Sequence, residues 1–130
     1  MIVVDASVLL EALLRTPGAK AAEARLFAPR QTLHAPHLLD VEMAHVIRRY
    51  AARGQIADHR GETALADLTD IPLRRYPHKV LLPRIWELRN NLTAYDAAYV
   101  ALAEALDAPL LTCDRRLAAA AGHRAQIELV

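Results

Sequence analysis

The chain opens on a continuous apolar run, Ile2-Val3-Val4, that stops at Asp5. An unbroken β-favouring series, rather than an alternating one, predicts a short strand buried on both faces, as a parallel sheet covered by helices requires. From Val8 to Arg15 the residues are good helix formers with few breakers, so Asp5 sits in the turn between a strand and a helix. Thr16-Pro17-Gly18 is a turn signal, and an Ala-rich helix is predicted from Ala19 to Phe27. Thr32-Leu33-His34-Ala35 reads as a second strand, closed by Pro36, which cannot extend a central ladder. A longer helix follows from His37 to Arg53, with Gly54 in the usual stop position. Leu39, Met43, Val46, Ile47 and Tyr50 form its apolar stripe, and Glu42 falls on the border of that stripe.

Beyond Gly54 the pattern becomes more polar. Asp58 to Thr69 reads as an exposed helix with Asp58 as its N-cap. Ile71 to His78 reads as loop, with room for one short extended piece. Lys79 to Asn90 has helical apolar spacing, with Pro83 in the first turn, where a missing N–H is tolerated. Thr93-Ala94-Tyr95-Asp96 opens a helix that is apolar nearly all round from Ala97 to Ala103, which predicts burial. Leu110-Leu111-Thr112 is a further short strand, followed by Asp114. Arg115 to Ala121 reads as a helix stopped by Gly122, and Ile127 to Val130 as a last strand at a sheet edge. No repeat, linker or low-complexity segment interrupts the chain.

Composition narrows the possibilities. A chain of 130 residues has the length of one domain, and 54% hydrophobic with 24% charged residues is a globular balance. One cysteine excludes an internal disulfide and points to a reducing, cytoplasmic setting. No N-terminal signal pattern and no membrane-length apolar run is present. A net charge of +1 is too weak for nucleic-acid binding by bulk electrostatics. A polyanion would have to be handled locally, through placed cations or a metal.

The candidate chemistry lies in the acids. Two predicted strands run into a carboxylate, Asp5 and Asp114, and in parallel neighbours both arrive at the same sheet edge, where open α/β sheets place ligands. On residues alone, Asp5 reads equally as helix cap and as ligand. Asp96 lies in the first turn of a buried helix, and Thr93-x-x-Asp96 resembles a capping box. Thr112 and Asp114 share one face of their strand while Cys113 points away, as a packed thiol. If Asp5, Glu42, Asp96 and Asp114 converge, repulsion decides the outcome: two carboxylates about 5 Å apart repel by roughly 3 kcal/mol at an effective dielectric near 20. They then need a cation or a shared proton. An all-oxygen set favours Mg²⁺ or Mn²⁺ over Zn²⁺.

At these positions the sequence resembles the PIN-domain nucleases, above all the VapC toxins of bacterial toxin–antitoxin modules. The resemblance rests on Met1-Ile-Val-Val-Asp5-Ala-Ser7-Val, on Glu42, on Asn91-Leu-Thr-Ala-Tyr-Asp96-Ala-Ala-Tyr-Val-Ala-Leu-Ala103, and on Leu110-Leu-Thr-Cys-Asp114-Arg-Arg-Leu117. It implies a single α/β domain over residues 1–130, with a central, mainly parallel sheet flanked by helices in three layers. It also implies a Mg²⁺-dependent endoribonuclease, with Mn²⁺ as a possible substitute. By position, Asp5 and Asp96 match the metal-binding acids, and Glu42 and Asp114 match the other two pocket acids. Ser7 and Thr112 match small hydroxyl positions beside them. The partners implied are an RNA substrate, a VapB-type antitoxin and a second copy of the chain, with no membrane. The candidate docking surfaces are the Lys79–Leu88 helix and the apolar side of the first helices.

Under that reading Asp5 and Asp96 hold the ion, and Glu42 or Asp114 orients or deprotonates water. Arg89, Arg115 and Arg116 are candidates for phosphate contacts. A competing reading is a binding or regulatory module whose acidic pocket is not catalytic. A phosphatase with Asp5 as nucleophile fits poorly, because Ser7 stands where such enzymes place a second Asp. The six histidines, His34, His37, His45, His59, His78 and His123, are read as scattered surface or core-edge residues.

Overall fold

The computed structural model describes residues 1–130. Its sheet has five strands, β1 (Ile2–Val4), β2 (Leu33–Pro36), β3 (Leu73–Tyr76), β4 (Leu110–Thr112) and β5 (Ile127–Leu129), in the spatial order β3-β2-β1-β4-β5. Every neighbouring pair is parallel. The central strand β1 is fully buried, with Val3 beside His34 on one side and Leu110 on the other. This is the burial that its unbroken apolar run demands. From β1 the chain first crosses to β2 and β3, then returns to the opposite side for β4 and β5. The boundary between β1 and β4 is therefore the topological switch point, where the connections diverge and leave a crevice at the C-terminal edge.

The helices are α1 (Ala6–Leu13), α2 (Ala19–Leu26), α3 (Leu38–Ala52), α4 (Asp58–Asp70), α5 (Leu82–Glu87), α6 (Ala94–Leu106) and α7 (Arg115–Ala118). They enclose the sheet as an α/β/α sandwich. Helix α6 packs on β1, β2 and β4, and its residues Ala97 to Ala103 are all buried. Helix α1 packs on β4, α2 and α3. The core joins Val3, Val4, Val8, Leu9, Leu39, Met43, Val100, Leu110 and Leu111 around these contacts. No helix is long and apolar enough to cross a membrane.

Several elements differ from the sequence reading. Residues 73–76, read as loop with room for a short extended piece, form a full strand, β3; two arginines in it are tolerated because it lies at the sheet edge. Helix α1 starts two residues earlier than expected, at Ala6, because Asp5 caps it. Pro36 is the last residue of β2, at the end of the ladder. Asp58 is already helical, and the N-cap position of α4 is Ala57, without a side-chain cap. That helix also buries Gly61, Ala64 and Leu68, so only part of it is exposed. The predicted helix from 79 to 90 is a 3-10 turn, Lys79–Leu81, running into the short α5, whose Pro83 does lie in the first turn. Helix α7 is four residues long. On α3, Leu39, Met43 and Ile47 are buried, whereas Val46 and Tyr50 lie at the edge.

The histidines also need correction. His34 is a core residue, with its ring nitrogens 2.6 Å from the Tyr76 hydroxyl and 2.9 Å from the Thr32 hydroxyl. His37 and His78 are neighbours, their ring centroids 6.0 Å apart, and His78 Nε2 accepts the Leu38 N–H at the start of α3.

Candidate active site at the C-terminal sheet edge

Parallel pairing carries the residues after β1 and β4 to one edge of the crevice. There Asp5 is both readings at once. As the N-cap of α1 its Oδ1 accepts the Val8 N–H at 3.3 Å. The same carboxylate is drawn into the crevice by two hydroxyls: Ser7 Oγ donates to Oδ1 and Thr112 Oγ1 donates to Oδ2, each at 2.5 Å. Ser7 and Thr112 are fixed in turn. Ser7 Oγ accepts the Cys113 N–H at 2.8 Å, and Thr112 Oγ1 accepts the Asp114 N–H at 2.9 Å. Thr112, with no exposed surface, thus bolts the end of β4 to the end of β1.

Asp114 follows as the N-cap of α7, accepting the Arg116 and Leu117 N–H groups, with the Arg116 guanidinium 3.6 Å away. Asp96 lies in the first turn of α6. Thr93 Oγ1 accepts the Asp96 N–H at 3.2 Å, so the capping box has this one arm. Glu42, on the half-buried border of α3, accepts one hydrogen bond, from the Tyr99 hydroxyl at 2.7 Å.

Electrostatics ties three of these acids together. Burial raises the Asp5 carboxyl above the ordinary aspartate value, against the opposing pull of its hydroxyl and N–H donors. Burial also raises Glu42, reinforced by the negative charges of Asp5 and Asp96 and opposed by the Tyr99 hydroxyl. Asp96 is raised by burial and then by Asp114, with Arg116 and the Thr93 hydroxyl opposing. Glu42 therefore feels Asp5 and Asp96, and Asp96 feels Asp114, although they come from four separate elements. The groups do not close on a single point: no three His, Cys, Asp or Glu side chains stand together as a ready metal-ligand set.

The donor chemistry nevertheless fits a hard divalent cation. The crevice offers carboxylate and hydroxyl oxygens, and the neighbouring Cys113 thiol is held protonated by burial, with its backbone N–H engaged by Ser7. No cationic side chain is hydrogen-bonded to Asp5, Glu42 or Asp96, so excess negative charge is left on the buried oxygens.

Of the arginines named from sequence, Arg115 and Arg116 are exposed at the start of α7, and Arg116 also pairs with Asp114. Arg89 instead stacks over the Trp86 ring, 4.4 Å from its centroid. Tyr99 escaped the sequence reading, which counted it as one more apolar residue of a buried helix. The usable signal was chemical: a tyrosine inside an apolar run must find a partner for its hydroxyl, and Tyr99 lies one turn beyond Asp96.

Comparison with known proteins agrees with this architecture. Residues 2–123 match the family model of the PIN domain. Ribonuclease VapC12 of Mycobacterium tuberculosis is 46% identical over 130 residues, which span 100% of this chain and 99% of that protein. Among solved structures, Mycobacterium tuberculosis VapC20, described as a sarcin–ricin-loop-cleaving toxin, superposes with a TM-score of 0.71 at 17% identity, covering 95% of this chain and 97% of that one. VapBC2 from Rickettsia felis, solved bound to a DNA fragment from its promoter, gives a TM-score of 0.70 at 14% identity, over 99% and 98% of the two chains. Those two structures speak for the fold alone, whereas the family model and VapC12 extend the match along the sequence itself. The chain belongs to the PIN-domain family, in its VapC branch.

Proposed function

We propose that this protein is a divalent-metal-dependent endoribonuclease, the toxin of a cytoplasmic toxin–antitoxin module, that arrests growth by hydrolysing RNA phosphodiester bonds. The observation that carries the reading is the gathering of Asp5, Glu42 and Asp96 at the mouth of the β1–β4 crevice without a hydrogen-bonded cation: burial raises all three carboxyls, and the charges of Asp5 and Asp96 raise Glu42 further. The identity to VapC12 along the whole chain supports it.

Asp5 and Asp96 would hold the ion, Mg²⁺ or in its place Mn²⁺. When bound, such an ion supplies neutralising charge to a phosphodiester oxygen and lowers the proton affinity of water. Glu42 and Asp114 complete the pocket. Glu42, raised above the ordinary glutamate value by burial, takes the proton that the attacking water gives up as its oxygen bonds to phosphorus and the ester P–O bond breaks. Arg115 and Arg116, exposed beside Asp114, contact the RNA backbone and position it without reading sequence. Ser7 and Thr112 hold the Asp5 carboxylate in register throughout.

The antitoxin partner is proposed as VapB-type, in line with the VapBC complex among the structural neighbours. The short α5, with Leu82 and Trp86 exposed beside an apolar groove that reaches Thr93, offers surface for a partner chain, antitoxin or second copy. The test is digestion of RNA with Mg²⁺, repeated with EDTA and with Asp96→Asn. Cleavage should vanish in both controls, and persistence in either overturns the assignment.

One observation favours the competing reading of a non-catalytic acidic module: both oxygens of Asp5 and one of Asp114 are already satisfied by local donors. Expression in growing cells separates the two. The intact toxin stops growth and Asp5→Ala does not, whereas a binding module leaves growth unchanged in both forms.

A further inference from the structure

Among the four acids, Glu42 has the longest side chain and little to hold it. Asp5 is fixed by two hydroxyls and a backbone N–H, and Asp114 by two backbone N–H groups. Glu42 has a single donor, the Tyr99 hydroxyl at 2.7 Å. Tyr99 is 2% exposed and is the largest fully buried side chain of the molecule. A phenylalanine would fill the same core volume, and a hydroxyl buried there is costly unless bonded. The Tyr99 hydroxyl has no other partner than Glu42, so its presence is accounted for by that carboxylate. Tyr99 also stands three residues after Asp96 on α6, and residues three apart share one face of a helix. One turn of α6 therefore carries an acid of the crevice and the group that fixes another acid arriving from α3.

We infer that Tyr99 is a positioning residue: its phenol pins the Glu42 carboxylate across the gap between α3 and α6 and keeps it turned into the acidic crevice. The inference rests on the ribonuclease reading for its consequence, since Glu42 matters to catalysis only if the crevice is the reaction site. Glu has three rotatable side-chain bonds. Without the phenol its carboxylate swings toward water, and the fraction of molecules ready to accept the proton falls while RNA binding is untouched.

Tyr99→Phe tests this with purified full-length protein, Mg²⁺ and a short RNA. The fold should be retained, by circular dichroism, because the ring remains. We expect kcat to fall about tenfold with KM within twofold, the pattern of a lost catalytic geometry rather than lost binding. In a Glu42→Ala background the same change should alter kcat less than twofold, since Tyr99 acts through Glu42. A crystal structure of Tyr99→Phe should show the Glu42 carboxylate displaced from its wild-type position. The inference is overturned if Tyr99→Phe keeps the wild-type kcat, if the tenfold loss recurs in Glu42→Ala, or if Glu42 stays in place in the variant crystal. Wild-type protein that cleaves no RNA counts against the ribonuclease reading, and the Glu42 position in the variant crystal then decides the positioning role by itself.

Discussion

Thr112→Val removes one hydroxyl from a site with no solvent and leaves the shape almost unchanged. Thr112 has no exposed surface; its Oγ1 donates to Asp5 Oδ2 at 2.5 Å and accepts the Asp114 N–H at 2.9 Å. The first bond is charge-assisted, a class that contributes roughly 1.5–3 kcal/mol, and the second is neutral, about 0.5–1.5 kcal/mol. Asp114 is only half-buried, so water recovers much of the second bond. The added methyl returns about 0.8 kcal/mol of apolar burial. The net loss is then about 2 kcal/mol, which for a chain of this size lowers Tm by roughly 6–10 °C. Thermal unfolding by circular dichroism in EDTA at pH 7 measures it. The pH dependence is the sharper part. The Thr112 donor favours the ionised form of Asp5, so the variant raises that carboxyl further above its usual value. Its deficit is largest where wild-type Asp5 is ionised and shrinks as pH falls through the folded-state value of Asp5. A Tm within 1 °C of wild type at pH 7, or a deficit that widens on acidification, would refute the bolt between β1 and β4.

Asp5→Asn in EDTA should lose less Tm than Asp5→Ala, because Asn still caps α1 and removes a buried charge, although it gives up the charge-assisted bonds from Ser7 and Thr112; Asp5→Ala should cost about 1 kcal/mol or more. An Asn variant less stable than the Ala variant in the same melts would contradict this. Asp5, Glu42 and Asp96 all have folded-state values above the unfolded ones, so the folded chain binds more protons and chelated protein loses stability as pH rises from the ordinary carboxylate range toward neutrality. Calorimetry with and without Mg²⁺ should accordingly show a larger gain in Tm from the ion at pH 8 than at pH 5. Glu104 is a contrast: its buried carboxylate is held below its usual value by the two-pronged Arg84, at 2.7 and 3.0 Å, and by the Arg124 N–H. Arg84→Ala should cost about 2 kcal/mol in denaturant melts at pH 7, a value discounted because a quarter of the Arg84 side chain meets solvent. The gap should close as pH falls through the depressed Glu104 value, since the contribution is present above the unfolded value and lost on protonation.

Sequence made the sheet core legible wherever one local signal sufficed. Ile2-Val3-Val4 and Leu110-Leu111-Thr112 are strands because no other use of so short an apolar run between turn signals is open to them. Thr93 and Gly54 mark helix ends through a side-chain cap and a positive φ of 71°, both properties of single residues. The misses share the opposite character. Leu73-Arg74-Arg75-Tyr76 becomes a strand only through pairing with β2, and Arg75 is then held by a two-pronged contact to Asp40 on α3. His34 reads as a polar residue in a strand until Thr32 and Tyr76 satisfy both of its nitrogens. For the candidate site, periodicity placed Glu42 at a core border correctly, but its one donor lies 57 residues away in sequence, beyond any local pattern.

Why the fold tolerates negative charge at a buried edge follows from where the helices begin. Asp5 caps α1, Asp114 caps α7 and Asp96 stands in the first turn of α6, so three of the four acids sit where backbone N–H groups and the positive end of the helix dipole favour an anion. Such placement contributes about 0.3–1 kcal/mol per acid, less for the four-residue α7, whereas a pair of carboxylates some 5 Å apart repels by roughly 3 kcal/mol. The helix ends thus offset only part of the repulsion. Burial is the first reason that Asp5, Glu42 and Asp96 favour protons; the Asp5 and Asp96 charges add to it at Glu42, and the Asp114 charge adds to it at Asp96. Desolvated carboxylates that gain from a proton would gain from a divalent cation as well, with twice the charge. The switch point between β1 and β4 fixes where this must happen. There two parallel strand ends point the same way while their connections part to opposite sides, the arrangement that leaves a crevice at the strands' C-terminal ends.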